Sequence, residues 1–148
     1  MSEDLYQEII LDHYKNPRGS ATIDNPLGES HQVNPTCGDE VTVWVGTDSN
    51  GNLEVAYQGQ GCSISQASAS VMAELLEGKS LTEAQQIQSA FIELMQSKGL
   101  VEPSEELLED AVAFRGVSRY PARIKCALIS WMALTDAEIK AGLRDGEG

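Results

Sequence analysis

The stretch that decides the fold is residues 41–58, VTVWVGTDSNGNLEVAYQ. Two runs rich in β-branched and apolar residues, 41–45 and 53–58, alternate in character and flank the dipeptide Asn50-Gly51. Asn-Gly is a strong signal for a tight hairpin turn. The pattern therefore predicts two antiparallel strands joined by a hairpin, with a third strand at the sheet edge in ESHQV, residues 29–33.

Helical patterns surround this hairpin. Apolar residues recur at helical spacing in segments 3–15, 63–78, 80–99, 102–114 and 121–143. Ser80 and Glu83 form a capping box, and Pro121 is suited to the first turn of the last helix. The sequence thus predicts an α+β fold: a small three-stranded antiparallel sheet with helices packed against it. Residues 1–148 are predicted to form one domain, since no repeat or long linker interrupts the pattern.

The charge of the chain limits its partners. Ten Lys and Arg residues against 23 Asp and Glu residues give a formal net charge of −13 over 148 residues. This charge repels nucleic acid and anionic membranes, and it favours a basic protein surface as partner. The N-terminal residues are acidic where a secretory signal would be basic, and no apolar run is long enough to span a membrane. The pattern therefore predicts a cytoplasmic protein without nucleic-acid or membrane partners.

Four residues are candidate metal ligands. Cys37 and Asp39 lie in the turn NPTCGD, Cys62 opens a helix after GQG, and Cys126 lies on the last helix, facing away from its main apolar stripe. The helix start at Cys62 favours a thiolate. Three thiolates and one carboxylate make the four ligands of a closed zinc site. On the residues alone, a shared metal site and three separately buried cysteines remain alternatives, because no Cys-x-x-Cys pair is present.

Other polar residues are weaker candidates. His13 follows Ile9 by one helical turn and is predicted to lie at the edge of the core, whereas His31 lies in a polar stretch before Cys37. Arg123 precedes Cys126 by about one turn and is expected to project beside it. Ser63, Ser65 and Ser68 have no evident His and Asp partners, so a serine hydrolase is not expected.

Three motifs around the cysteines, NPTCGD, GQGCSIS and RYPARIKCALISW, follow the N-terminal segment LYQEIILDHYKNPR. In this order they resemble the U-type proteins of iron–sulfur cluster assembly, and specifically the SufU branch. Lys125 stands where IscU-type scaffolds carry a histidine, and residues 99–117 form the extra stretch typical of SufU-like members. The resemblance implies a Zn²⁺ ion held by Cys37, Asp39, Cys62 and Cys126.

The resemblance also implies an activity. A SufU-like protein accepts persulfide sulfur from a pyridoxal-phosphate cysteine desulfurase of the SufS type and relays it toward a downstream iron–sulfur assembly scaffold. In that family a histidine of the desulfurase is thought to replace the first cysteine on zinc, which makes Cys37 the expected sulfur acceptor. Arg123 is expected to assist the sulfur-transfer partner. Two other functions remain open: a scaffold that assembles a cluster on the same ligands, and a binding module whose zinc is structural and which only activates the desulfurase.

Overall fold

The computed structural model of the protein describes residues 3–36, 38–100 and 103–144. Over these ranges the elements, in chain order, are α1 (Glu3–Lys15), β1 (Gly28–Asn34), β2 (Asp39–Thr47), β3 (Leu53–Gln60), α2 (Ser63–Leu76), α3 (Leu81–Gln96), α4 (Glu105–Leu108), a 3₁₀ helix (Glu109–Arg119) and α5 (Pro121–Lys140). The predicted α+β class is confirmed.

The sheet has three strands in the order β1-β2-β3, and both pairs are antiparallel. The predicted hairpin joins β2 to β3. In its loop the Asp48 carboxylate accepts hydrogen bonds from the backbone N–H groups of Asn50, at 2.8 Å, and Asn52, at 3.0 Å. Gly51 adopts a φ of 80°, a conformation that glycine reaches without a steric cost. The Asn-Gly signal thus produced the expected turn.

An aromatic stack lies at the centre of the helical layer. Trp131 of α5 is fully buried and stacks on Phe91 of α3, with ring centroids 4.1 Å apart and an interplanar angle of 11°. Phe114 of the 3₁₀ helix meets Phe91 edge-on at 5.9 Å. The Trp131 indole N–H donates to the Ser68 hydroxyl at 2.9 Å, so its one polar atom is paired. These contacts join α2, α3, α5 and the 3₁₀ helix.

Helix α5 is buried on two sides. It packs on β1 and β2 and also on α2 and α3. The apolar stripe of α5 that contains Trp131 faces the other helices, since Trp131 stacks on Phe91 of α3. Ile129 and Ala133 share the opposite face with Cys126, and both are buried as well. A helix that contacts a sheet and other helices at once can carry Cys126 inside the protein without placing it in the main apolar stripe.

The predicted helix at 102–114 is wrong in form. Helix α4 is a single turn, and the chain then continues as a 3₁₀ helix to Arg119. Glu109 has a φ of 48°, which is incompatible with a continuous α-helix. Leu108, Ala111 and Val112 are nevertheless buried, as the apolar spacing predicted. Residue 102, where the predicted helix begins, lies outside the described ranges.

The remaining helix ends agree closely with the sequence. The Ser80 hydroxyl accepts a hydrogen bond from the N–H of Glu83 at 3.2 Å, and Pro121 is the first residue of α5. Helix α2 ends at Leu76 and α5 at Lys140, two or three residues earlier than their patterns suggested. No helix in the described part of the chain is both long and apolar enough to cross a membrane.

Candidate metal centre

The candidate metal centre begins at the turn between β1 and β2. Asn34 and Asp39 are the last paired residues of this hairpin, so residues 35–38 form a four-residue connection. Gly38 adopts a φ of 70°. Asp39 is fully buried although it is the first residue of a strand. Cys37 falls outside the described residues, so its predicted position in the site stays a prediction.

The Asp39 carboxylate is held by the start of α2. Its Oδ1 atom accepts hydrogen bonds from the backbone N–H of Cys62, at 2.9 Å, and from the Ser65 hydroxyl, at 3.1 Å. Its Oδ2 atom lies 3.9 Å from the Cys62 sulfur. A buried carboxylate is costly unless it is hydrogen-bonded or binds a cation. Here one oxygen is bonded by the protein and the other faces a thiol.

Gly61 makes this arrangement possible. It joins β3 to Cys62, and its φ of 145° is a conformation almost confined to glycine. A β-carbon at this position would lie 2.9 Å from the Asp39 Cα atom and would overlap the carboxylate Oδ1 atom. The chain therefore passes as close to Asp39 as its backbone allows. The second glycine of the GQG motif is explained by this close approach.

Three elements converge on the centre. Asp39 begins β2, Cys62 is the residue before α2, and Cys126 lies in the second turn of α5. A carboxylate oxygen of Asp39 and the sulfurs of Cys62 and Cys126 all lie within 4.8 Å of one another. Cys126 is 5% exposed, whereas Cys62 is half-buried. The structure thus brings together three of the four residues that the sequence proposed as ligands.

The chemistry of these side chains fits a zinc ion. Zn²⁺ binds thiolate sulfur and carboxylate oxygen, and its structural sites have four ligands. The described residues provide the sulfurs of Cys62 and Cys126 and the buried carboxylate of Asp39. One oxygen of this carboxylate, Oδ1, already accepts two hydrogen bonds from the protein. Cys37, two residues before Asp39, would complete the set. The donor set is also compatible with an iron–sulfur cluster, which cysteine thiolates hold.

Arg123 lies at the edge of a groove beside the centre. The groove has a volume of about 390 Å³ and is lined by Tyr6, Gln7, Ile10, Leu11, Ser63, Ile64, Ala113, Gly116, Val117, Tyr120 and Arg123. Ser63 and Ile64 directly follow Cys62, so the groove borders the start of α2. The Arg123 guanidinium lies over the Tyr120 ring, 5.2 Å from its centroid. Among the described residues, no carboxylate forms an ion pair with Arg123.

The two histidines lie outside the centre. His31 is in the middle of β1, where its ring bonds the Thr42 hydroxyl at 2.8 Å and lies 3.3 Å from the Glu40 carboxylate. His13 is fully buried, and its Nδ1 and Nε2 atoms lie 2.7 Å from the Ser70 hydroxyl and 2.8 Å from the Asp110 carboxylate. Neither histidine belongs to the group formed by Asp39, Cys62 and Cys126, and that neither is a ligand stays a prediction.

The His13 cluster joins three elements: α1, α2 and the 3₁₀ helix. The Ser70 oxygen accepts a hydrogen bond from the Arg18 backbone N–H at 2.9 Å, so its own proton is available for His13 Nδ1. His13 Nε2 then donates to Asp110. A Ser-His-Asp arrangement resembles a hydrolase triad, but Ser70 is fully buried and does not line the groove beside the metal centre. Glu74 completes a second group of possible metal ligands here, but the Arg18 Nε atom already lies 3.2 Å from its carboxylate.

Ser65 is a residue of the site that the sequence pattern does not predict. The pattern offers the serines after Cys62 only as possible hydrolase nucleophiles, whereas the Ser65 hydroxyl donates to the Asp39 carboxylate. Ser65 is the third residue of α2, the position where a side chain reaches back to the preceding turn. The signal was present as a serine three residues after Cys62 in GQGCSIS. Its partner could not be read from the sequence because Asp39 is 26 positions away.

Comparison with known proteins identifies the family. Residues 5–127 match the family model described as the NifU-like N terminal domain. The chain belongs to this family. The resemblance drawn from the three cysteine motifs is thereby confirmed.

Two of the proteins that the chain resembles are named for different types of function. The chain is 40% identical to the zinc-dependent sulfurtransferase SufU of Bacillus subtilis over 130 residues, which cover 88% of this chain and 86% of that protein. It is 37% identical to the iron–sulfur cluster assembly scaffold protein IscU of Streptococcus pyogenes serotype M1 over 134 residues, covering 90% and 82% of the two chains. Both types are therefore relevant to function.

Solved structures show the same fold. The crystal structure of FiSufU from Fervidobacterium islandicum AW-1, proposed to be a cluster assembly scaffold for the SUF system, superposes with a TM-score of 0.79 at 34% identity. The aligned region covers 93% of this chain and 98% of the FiSufU chain. A NifU-like N-terminal protein from Brucella abortus gives a TM-score of 0.81 at 24% identity, covering 95% and 96% of the two chains, which supports the fold alone.

Proposed function

We propose that this NifU-like protein is a zinc-dependent sulfurtransferase. It would accept persulfide sulfur from a pyridoxal-phosphate cysteine desulfurase of the SufS type and relay it toward iron–sulfur cluster assembly. The observation that carries the proposal is the convergence of Asp39, Cys62 and Cys126 within 4.8 Å. The 40% identity to a relative named as a zinc-dependent sulfurtransferase supports the same function.

The ligands have different freedom to move. Asp39, Cys62, Cys126 and Cys37 would hold the zinc ion, which keeps thiols deprotonated without changing its own oxidation state. Asp39 and Cys126 are buried, and Cys62 is fixed at the start of α2. Cys37 instead belongs to a connection in which residues 35, 36 and 38 are all exposed. We therefore propose Cys37 as the ligand that leaves the zinc ion for transfer.

The transfer step conserves electrons without an added oxidant. The Cys37 thiolate attacks the outer sulfur of the persulfide on the desulfurase cysteine. The bond between the two donor sulfurs breaks, the donor cysteine departs as a thiolate, and Cys37 carries the new persulfide. The same exchange with a recipient thiol then passes the sulfur on.

The groove beside the centre is the proposed contact for the desulfurase. Tyr120 and Leu11, which line the groove, are 55% and 48% exposed, so two of its large side chains are open to a partner. Residues 111–135 contain four Arg or Lys residues and no Asp or Glu, although the whole chain has a net charge of −13. Arg123 and Lys125 of this segment are exposed. The local charge thus favours an acidic patch around the donor cysteine, while the rest of the chain favours a basic surface.

Two measurements test the proposal. Elemental analysis of purified protein should find one zinc ion per chain, and this zinc should be lost in Cys62→Ala and in Cys126→Ala. Incubation with a SufS-type desulfurase and cysteine, followed by alkylation and mass spectrometry, should place the extra sulfur on Cys37. Undiminished transfer by Cys37→Ser, or persulfide chiefly on Cys62 or Cys126, would assign the acceptor role elsewhere.

A cluster scaffold is the second candidate. The relative from Streptococcus pyogenes is named as a scaffold. The sulfurs of Cys62 and Cys126 in this chain are compatible with a cluster as well as with zinc. A scaffold should take up iron and sulfide and absorb visible light, whereas the sulfurtransferase should retain colourless zinc. A structural-zinc activator, in turn, would stimulate the desulfurase but would trap no persulfide.

A further inference from the structure

The two oxygens of the Asp39 carboxylate have different surroundings. Oδ1 accepts hydrogen bonds from the Cys62 backbone N–H and the Ser65 hydroxyl, at 2.9 and 3.1 Å, while Oδ2 lies beside the Cys62 sulfur. Ser65 is itself buried, with 3% of its surface exposed, and its hydroxyl also lies 3.0 Å from the Cys62 carbonyl oxygen. The serine is therefore fixed by the helix on which it lies and by the carboxylate that it contacts.

We propose that Ser65 is the positioning residue that presents a single oxygen of Asp39 to the metal. This inference rests on the metal centre of the proposed function. Because the Ser65 hydroxyl binds Oδ1, the oxygen left beside the Cys62 sulfur is Oδ2. Hydrogen bonds from outer residues commonly orient metal ligands in this way, and their loss typically weakens metal affinity about 10-fold to 100-fold.

The backbone alone does not give this selectivity. The Cys62 N–H supports Oδ1 from one direction, and the glycine at position 61 leaves open the space that a side chain would fill. Without the hydroxyl of Ser65, Oδ1 keeps one hydrogen bond in a buried environment and can turn toward a bound cation. A carboxylate that binds through both oxygens would raise the coordination number above the four of a closed site.

The test compares Ser65→Ala with Ser70→Ala. Both substitutions remove a buried hydroxyl from α2, but Ser70 contacts His13 and Arg18 rather than Asp39. Competition with a chelator should show zinc affinity reduced about 10-fold to 100-fold in Ser65→Ala and unchanged in Ser70→Ala. Cobalt in place of zinc provides a second readout, since a fifth donor weakens the visible bands of a tetrahedral Co²⁺ site. Those bands should lose intensity only in Ser65→Ala, and Ser65→Thr, which keeps the hydroxyl, should restore them.

The outcomes separate this inference from the proposed function. If the unsubstituted protein binds neither zinc nor cobalt, the metal centre itself is wrong. If it binds both and Ser65→Ala has the same affinity and the same cobalt spectrum, only the role of Ser65 is overturned. Circular dichroism of the metal-free proteins shows whether each variant folds. Should Ser65→Ala not fold, Ser65→Thr decides: unchanged affinity and spectrum support the role, and a weakened site in a folded Ser65→Thr contradicts it.

Discussion

The carboxylate of Asp39 accepts a hydrogen bond from the backbone N–H of Cys62 at 2.9 Å, so two residues proposed as ligands of one metal also bind each other. The contact joins the first residue of β2 to the residue before α2. It depends on backbone geometry and on the lack of a side chain at position 61. The fold itself therefore positions the Asp39 carboxylate beside Cys62.

Gly61→Ala should separate metal binding from folding. The added methyl group would overlap Asp39 Oδ1, and alanine disfavours a φ of 145°. We expect the variant to lose about 1–3 kcal/mol of stability and most of its zinc affinity. The control is Gly51→Ala, which also has a positive φ, 80°, but has no atom within 4 Å of the added carbon. Gly51→Ala should lose stability and keep zinc. Thermal unfolding measures the stability of both variants, and chelator competition measures their zinc affinity. Equal zinc loss in both variants would contradict the steric role of Gly61.

Arg123→Ala should retain zinc and lose most of its ability to stimulate a cysteine desulfurase. The guanidinium is exposed, lies over Tyr120 and lines the groove beside the centre, so its removal leaves the described core contacts intact. Lys125→Ala is the matched control, because it removes one exposed positive charge two residues away. If charge alone attracts the donor, both variants should be impaired equally, and a specific role for Arg123 would be wrong. Desulfurase turnover at several salt concentrations distinguishes the two results.

The parts of the fold that were predictable have local causes. The hairpin at 41–58 follows from alternation and from Asn50-Gly51, and the start of α5 follows from Pro121. The 3₁₀ helix was not predictable, because apolar spacing at Leu108, Ala111 and Val112 suits an α-helix equally well. The positive φ of Glu109 interrupts the α-helix at this point. Glutamate has no intrinsic preference for a positive φ, so the sequence does not indicate the interruption.

The candidate centre was predictable in its residue types and less so in its partners. Asp39, Cys62 and Cys126 were proposed from motifs, and the structure brings them together. The hydrogen bond from Ser65 depends on how β2 and α2 pack, so no local pattern reports it. Likewise, the apolar stripe of α5 did not indicate that the face with Cys126 would be buried, since that follows from the sheet packed against it.

His13→Ala should destabilise the protein without affecting the metal centre. His13 joins α1 to Ser70 of α2 and to Asp110 of the 3₁₀ helix, and it is fully buried. Loss of the ring leaves a cavity and a buried hydroxyl with one partner fewer, which should cost about 2–4 kcal/mol. His31→Ala, at an exposed position on β1, should change stability by less than about 0.5 kcal/mol. Urea unfolding measures both, and a fall in zinc content in His13→Ala alone would instead indicate a metal at the His13 cluster.

Glu138→Gln should change how stability depends on pH. Burial raises the pKa of the Glu138 carboxyl, while hydrogen bonds from Gln88 and Arg144 partly oppose this effect. A carboxyl whose pKa is higher in the folded state contributes stability below its ordinary pKa of 4.5 and loses it as the pH rises through the folded-state value. Relative to Glu138→Gln, the unsubstituted protein should therefore become less stable as the pH rises above about 4.5, by about 1.4 kcal/mol for each unit of pKa shift. Glu93→Gln, which removes the same charge from an exposed position on α3, is the control. Chemical unfolding of the three proteins between pH 4.5 and 7.5, at equal zinc content, is the measurement, and a parallel pH dependence of Glu138→Gln and the unsubstituted protein would show that the buried carboxyl does not control it.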